Sequence, residues 1–248
     1  MLLRNNIILR NRRNFNFPIF FGCLFLLFAV YYFSTINIQP AYSQEYIFER
    51  QFGSAGISLG EFSQPQGIAI DSSDNIYITS FTSLSNQIQK FTSNGTFITL
   101  WGSFGLGDGQ FINPGGIDTD SSDNVYVADF GENNNIQKFD SNGNFIMKWG
   151  SAGTADGQFN SPDGIAIDSE GNVYVADSEN HRIQKFDSNG NFITKWGSMG
   201  SDDGQFRHPA SIAIDSEGNV YVADSDNDRI QVFKQVSKSS ASNPVPVS

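Results

Sequence analysis

Apolar and polar residues alternate along most of this chain in short runs, separated by turns rich in Asp, Asn and Gly. One unit contains four such runs, Gly164–Asp168, Asn172–Ala176, Arg182–Phe186 and Asn191–Trp196. Runs of this length are typical of β-strands. The Asp-Ser-Asn-Gly-Asn links are typical of hairpins, because Asn and Gly tolerate left-handed turn conformations. Each unit therefore predicts a four-stranded antiparallel sheet.

The second run of this unit indicates burial on both faces of the sheet. Its two valines, Val173 and Val175, lie on one side of the strand, and Tyr174 and Ala176 lie on the other. Both sides are largely apolar. Four-stranded sheets stacked face to face around an axis would bury both of them.

The unit occurs four times. The motif Gly-Ile-Ala-Ile-Asp or a close variant ends at Asp71, Asp120, Asp168 and Asp215, with spacings of 49, 48 and 47 residues. A period of about 40–50 residues is typical of propellers. We therefore expect an all-β fold, a β-propeller with four blades of four antiparallel strands.

The two ends of the repeat region carry complementary strands. Tyr46–Ser54 matches the fourth run of a unit, and Arg229–Phe233 is a third run with no fourth run after it. The N-terminal strand could complete the last blade, which would close the ring and remove exposed strand edges. We expect this closure within one chain.

The third unit contains Asn-His-Arg-Ile-Gln-Lys-Phe at 180–186, preceded by Gly-Ile-Ala-Ile-Asp and Asn-Val-Tyr-Val-Ala-Asp. These motifs resemble the NHL repeat, and the resemblance covers residues 46–234. The NHL family forms β-propellers, usually six-bladed, which often serve as interaction platforms. Since this chain has material for four blades, the alternative to closure is an arc of a six-bladed ring completed by another chain.

Residues 1–43 predict a signal peptide or an N-terminal membrane anchor. Four arginines precede an apolar run at Ile19–Phe33, and Ala41-Tyr42-Ser43 is typical of a cleavage site. The run is shorter than the roughly 17–25 residues of a membrane-spanning helix. We therefore expect a secreted or extracytoplasmic propeller at 44–234, or one anchored by residues 19–33. The Ser- and Pro-containing tail at 235–248 is expected to be disordered.

Charge and cysteine content exclude several classes of function. The chain carries a net charge of −11, and without the four arginines of residues 1–43 it carries −15. Such an acidic protein is poorly suited to nucleic acid or to an anionic membrane surface. The single cysteine, Cys23, precedes the cleavage site, so the mature chain would hold no disulfide, zinc–thiolate site or thiol nucleophile.

The repeated aspartates are better explained by turns than by metal binding. Asp71, Asp120, Asp168 and Asp215 each open a hairpin that offers only two acidic groups, whereas calcium loops place several oxygens at spaced positions. We expect these carboxylates to cap turns, and we assign no metal and no cofactor. The Gly-Asp-Gly-Gln-Phe segments are expected to link the blades, each packing one aromatic ring between them.

Length differences between the four units are confined to the loop between the second and third strands. In a propeller these loops share a face with the connections between blades, and variable loops often carry binding functions on a rigid scaffold. This variable-loop face is the candidate functional surface.

Two groups of residues on this face stand out. The basic ones can hold carboxylates or phosphates, unless they pair with neighbouring acids such as Asp177, Glu179, Asp202, Asp203, Asp226 and Asp228. The apolar ones favour a protein or peptide partner, unless they fold back onto the blade. The candidate binding residues are His181, Arg182, Arg207, His208, Arg229, Phe81, Leu84 and Phe130.

The sequence thus favours an exported, non-catalytic module that binds a protein, peptide or glycan at the cell surface. The alternative that the resemblance implies is a propeller enzyme of the lyase or gluconolactonase type, with a metal in the central channel. A zinc site would need several histidines on innermost strands, and only His181 and His208 are present. We expect no catalytic residues.

Overall fold

A computed structural model describes residues 47–81 and 86–235. The chain divides after Glu49 into two units; the described residues of the first, 47–49, are exposed and belong to no strand. The predicted signal peptide or anchor at 1–43, and the predicted tail beyond Gln235, lie outside the described residues. Within those residues, no helix is both long enough and apolar enough to cross a membrane.

The second unit consists of short β-strands. They are β1 (Ser54–Ala55), β2 (Glu61–Phe62), β3 (Pro65–Ile70), β4 (Ile76–Phe81), β5 (Asn86–Phe91), β6 (Phe97–Trp101), β7 (Asn113–Thr119), β8 (Val125–Phe130), β9 (Asn135–Phe139), β10 (Phe145–Trp149), β11 (Pro162–Ile167), β12 (Val173–Asp177), β13 (Arg182–Phe186), β14 (Phe192–Trp196), β15 (Pro209–Ile214), β16 (Val220–Asp224) and β17 (Arg229–Phe233). Two single-turn 3₁₀ helices lie at Ser178–Asn180 and Ser225–Asn227.

Each repeat folds into one antiparallel sheet, and the four sheets are the blades. The first three contain β3–β6, β7–β10 and β11–β14, and the fourth contains β15–β17. In the third blade Val175 lies opposite Ile165 on one neighbour and Gln184 on the other. The first strands of successive blades contact one another and form the inner edge of the stack. The predicted all-β propeller of four blades is confirmed.

The repeated aspartates cap hairpins, as predicted. The Asp168 carboxylate accepts hydrogen bonds from the backbone N–H groups of Glu170 at 3.0 Å and Asn172 at 2.8 Å, and from the Tyr174 hydroxyl at 3.0 Å. Burial opposes the charged form, but the hydrogen bonds outweigh it and lower the pKa of Asp168. Asp71, Asp120 and Asp215 make the equivalent bonds.

Aromatic rings from the inter-blade connections fill the space between the sheets. Phe111, Phe159 and Phe206 are completely buried, and each ring lies 5.6–5.7 Å from a phenylalanine ring of the blade that follows its connection. These phenylalanines belong to the three apolar clusters that join neighbouring blades. The predicted role of the Gly-Asp-Gly-Gln-Phe connections is confirmed.

Closure of the last blade by the N-terminal strand is not found among the described residues, and this prediction is corrected. The fourth sheet has three strands, and the described part of Tyr46–Ser54 does not pair with β17. Phe52 instead packs against the first blade, its ring 5.1 Å from that of Phe91, and Arg50 donates to the Ser93 carbonyl at 2.7 Å. The sheet faces at both ends of the series remain exposed. The described blades therefore form an open arc.

Candidate functional site

The variable loops and the inter-blade connections share one face, as predicted. In the third blade the 3₁₀ turn after β12 donates from Ser178 N to the Ser161 carbonyl at 3.3 Å and from Glu179 N to the Asn160 carbonyl at 3.1 Å. His181 ends this turn in the left-handed conformation, with φ of 55°. The backbone therefore fixes the direction of the His181 side chain.

His181 and His208 come together on this face although they belong to neighbouring blades. Their rings lie 4.9 Å apart in an edge-to-face arrangement, and the backbone N–H of His208 donates to Nδ1 of His181 at 3.3 Å. His208 Nδ1 lies 2.5 Å from Asp226 Oδ2, and Nε2 lies 3.4 Å from Glu179 Oε2. The hydrogen bond with Asp226, helped by the Glu179 charge, raises the pKa of His208. The two carboxylates therefore favour the imidazolium form.

Arg207 precedes His208 and is exposed. Its backbone N–H donates to Asp224 Oδ1 at 2.6 Å, and its carbonyl accepts from Asp226 N at 3.1 Å. Its guanidinium makes no hydrogen bond or ion pair within the described residues. The backbone is thus held in place while the charge faces solvent.

The guanidinium of Arg182, by contrast, is fully hydrogen-bonded inside the protein. Its Nε donates to Asp177 at 2.7 Å, Nη1 donates to the Thr154 carbonyl, and Nη2 donates to the carbonyls of Ala155 and Gln158. The side chain is buried. This guanidinium ties the third strand to the inter-blade connection and is unavailable to a partner.

Arg229 repeats the arrangement in the fourth blade. It donates to Asp224 at 2.8 Å and to the backbone carbonyls of Ser201, Asp202 and Gln205. The pairing of basic side chains with acids inside the protein thus holds for both arginines. Arg229 is nevertheless 26% exposed, whereas Arg182 is buried.

The apolar candidates lie on the first two blades. Phe81 and Phe130 pack edge to face with their ring centroids 5.6 Å apart, and both are partly exposed. Leu84 lies outside the described residues. The two rings therefore stack across the blade boundary and offer an apolar spot on the variable-loop face.

Sequence reasoning missed two carboxylates on innermost strands. Asp118 accepts a hydrogen bond from Ile167 N of the next blade at 2.8 Å, so it joins two blades. Asp163 lies near Gly115, and burial alone raises its pKa. Both break the repeat, because the other copies carry alanine in place of Asp118, and glutamine, glycine or alanine in place of Asp163. A position-by-position comparison of the copies would have found them.

The described residues contain no group of three or more His, Cys, Asp or Glu side chains arranged to hold a metal ion.

A model of the NHL repeat matches the chain at 111–139, 159–186 and 206–233. No curated protein sequence matches it.

Solved structures share the fold at low sequence identity. An auxiliary nutrient binding protein from Bacteroides ovatus is 20% identical, with a TM-score of 0.54; the match covers 71% of this chain and 49% of that one. A virginiamycin B lyase from Staphylococcus aureus is 16% identical, with a TM-score of 0.50, covering 69% and 56%. A streptogramin B lyase is 16% identical, with a TM-score of 0.50, covering 70% and 55%. The chain thus spans about half the length of these proteins, and the likeness concerns the fold alone.

Proposed function

We propose that this β-propeller, whose residues 111–139, 159–186 and 206–233 match the NHL repeat, acts outside the cytoplasm as a non-catalytic module that binds a protein, peptide or glycan. The proposal rests on one observation. The arginines that open the third strands are bonded inside their blades, whereas the variable-loop face carries a guanidinium without a partner among the described residues and two partly exposed rings, Phe81 and Phe130. Arg182 and Arg207 show the contrast, since one guanidinium is fully bonded and the other faces solvent.

The chemistry of this face suits a partner with a carboxylate next to an apolar or sugar-like surface. Arg207 supplies a cation with a fork of donors and no partner among the described residues. Phe81 and Phe130 supply an aromatic surface. Two of the solved structures with this fold are named auxiliary nutrient binding proteins, which also supports a binding role.

Binding arrays test the proposal directly. Tagged full-length chain is applied to arrays of glycans and of acidic peptides, and we expect binding that Arg207→Glu weakens by about 10-fold or more. Lys195→Glu makes the same charge change on an outermost strand, where Lys195 pairs with Asp156, and should leave binding intact. Equal binding by both variants, or no bound ligand, would contradict the proposal.

An enzymatic role is the second candidate, and Asp163 is the observation in its favour. Its carboxylate is desolvated on an innermost strand at a position where the repeat is broken. Two proteins with this fold are named lyases. Incubation with virginiamycin B, followed by mass spectrometry, tests this reading. Turnover that Asp163→Asn abolishes would favour the enzyme over the binding module.

The proposed location has its own test. Mass spectrometry of the native N-terminus distinguishes a secreted chain that begins at Gln44 from an anchored chain that retains residues 1–43. Recovery of the uncleaved chain in the cytosolic fraction would contradict export.

A further inference from the structure

The three internal blade junctions use the same residue types. Between the third and fourth blades, Tyr174 and Ile183 of one sheet pack against Ile212 and Val222 of the next, around Phe206. The other junctions use Tyr77, Ile88, Ile117, Val127 and Phe111, and Tyr126, Ile136, Ile165, Val175 and Phe159. Every blade therefore has a forward face, which carries the Tyr and Ile, and a backward face, which receives them.

At the two ends of the arc these faces are exposed. On the forward face of the fourth blade, Tyr221 is 38%, Ile230 63% and Val232 56% exposed. On the backward face of the first blade, Ile68 is 66% and Ile70 59% exposed. The counterparts of Tyr221, Ile230 and Ile68 inside the arc are at most 8% exposed. Contiguous apolar surface of this kind marks an interaction site.

The segment Arg50–Ser54 has already occupied part of the backward face. Phe52 holds the position in the repeat of Trp101, Trp149 and Trp196, and its ring packs against Phe62 and Phe91 as those tryptophans pack against the following blade. The segment therefore lies where the fourth strand of a preceding blade would lie.

The two end faces also differ from the internal junctions in where their positively charged side chain lies. At the first two junctions a forward-face lysine reaches a serine carbonyl of the next blade: Lys90 donates to Ser141 at 3.0 Å and Lys138 to Ser188 at 3.3 Å. On the end face Val232 replaces that lysine. The equivalent carbonyl of the first blade, on Ser93, already accepts from Arg50. The internal junctions therefore carry the positive charge on the forward face, as a lysine, whereas at the end of the arc it lies on the backward face, as Arg50. The two end faces thus remain complementary.

We propose that the two end faces join two copies of this chain head to tail. The forward face of the fourth blade packs on the backward face of the first blade of a second copy. The Arg50–Ser54 segment of that second copy adds to the edge of β17 as the missing fourth strand. In this register Phe52 of the second copy lies opposite Ile230, as Trp196 lies opposite Ile183.

The partner is a second copy because the chain's own Arg50–Ser54 segment packs on the first blade and leaves the outer edge of β17 unpaired among the described residues. Phe52 is seated in this structure, yet both end faces are exposed and β17 has no partner on its outer side among the described residues. A second copy brings both missing parts, a backward face and a seated segment. The contact is heterologous, so it can close a ring of copies or extend it.

Ser211 sets the spacing of this junction. Its counterparts are Gly67, Gly116 and Gly164, where a Cβ atom would lie 2.4–2.6 Å from a carbonyl oxygen of the next innermost strand. A serine at this position requires a wider inner edge than the internal junctions have. The copies therefore meet mainly through the outer strands, and Ser211→Gly should strengthen the association.

Sedimentation of full-length chain in a mild detergent tests the proposal. Wild type should associate, and Ile230→Asp or Ile68→Asp alone should reduce association by about 10-fold or more. An equal mixture of these two variants should restore a dimer, because each retains one intact face. Ile146→Asp, at a residue 47% exposed on β10, is the matched control and should associate like wild type. A monomeric wild type, unaffected end variants or a mixture that stays monomeric would overturn the proposal.

A photo-cross-link identifies the neighbour and does not depend on variants with altered folding. Gln51, which is exposed, is replaced by p-benzoylphenylalanine in a mixture of isotopically light and heavy full-length chains. We expect cross-links between light and heavy chains that map to β17. Cross-links confined to one chain would instead show self-closure and overturn the inference.

Discussion

The Nε atom of Arg182 donates a hydrogen bond to Oδ2 of Asp177 at 2.7 Å, and both side chains are buried. The fourth blade repeats this pair as Arg229 and Asp224. In the second blade Asn135 replaces the arginine, and burial raises the pKa of the equivalent carboxyl, on Asp129, to about 6. The arginine of the repeat therefore compensates a buried carboxylate.

Arg182→Ala should destabilise the fold. Removing one partner of a buried ion pair leaves an uncompensated charge, which typically costs about 3–5 kcal/mol. Urea denaturation of the full chain measures the change in the free energy of unfolding. Arg207→Ala removes an exposed guanidinium without a partner among the described residues and should stay within about 0.5 kcal/mol of wild type. A similar, small effect of both substitutions would refute the structural role of Arg182.

Asp129 should make stability fall as the pH rises from about 4 to about 6. Its folded-state pKa of about 6 lies above the ordinary 3.8, so the folded state retains a proton that the unfolded state releases in this window. This difference in pKa corresponds to a change of about 3 kcal/mol in the free energy of unfolding. Asp129→Asn cannot ionise, so between pH 4 and pH 7 its stability should improve relative to wild type by about that amount.

Asp224→Asn is the matched control for this prediction. Although burial opposes ionisation, hydrogen bonds from Arg207 N, Asn227, Arg229 and Gln231 lower the pKa of Asp224. This carboxyl stabilises the fold above its ordinary pKa, so the variant should lose stability relative to wild type as the pH rises. Parallel pH profiles for wild type and Asp129→Asn would contradict the assignment.

The repeat made much of the fold predictable. The spacing of the Asp residues and the alternation in runs such as Val173–Ala176 indicate blades, hairpins and inter-blade aromatics, because each depends on local pattern. Pairing of Arg182 with nearby Asp177 is one of the two alternatives that the sequence offers, and the structure has it. The bonds of Arg182 to carbonyls 24–28 residues away were not predictable, because they depend on how the inter-blade connection folds against the third strand. Closure also failed as a prediction, since complementary strands at the two ends do not determine whether the ends meet.

Gly164→Ala should disturb the contact between the third and fourth blades. A Cβ atom there would lie 2.5 Å from the Ala210 carbonyl oxygen and 2.7 Å from Ser211 Cα, so backbone has to move. Overpacking of this kind costs about 1–3 kcal/mol, and contact with backbone favours the upper end. Thermal unfolding measures it. Gly157→Ala is the control: it has a positive φ and no atom within 4 Å, so only the strain of about 1 kcal/mol applies. An equal loss in both variants would contradict tight packing at Gly164.

His208 should titrate above its ordinary pKa, and Asp226→Asn should lower that pKa. The hydrogen bond between His208 Nδ1 and Asp226 is the main cause of the raised pKa, and Glu179 adds to it. Because the folded-state pKa is raised, the ion pair is fully formed below the unfolded value and is lost as the pH rises through the folded one. NMR titration of the imidazole ring measures both values. Glu179→Gln removes the more distant carboxylate, at 3.4 Å, and should lower the pKa less. If Asp226→Asn leaves the titration of His208 unchanged, the hydrogen bond between His208 and Asp226 is not formed in solution.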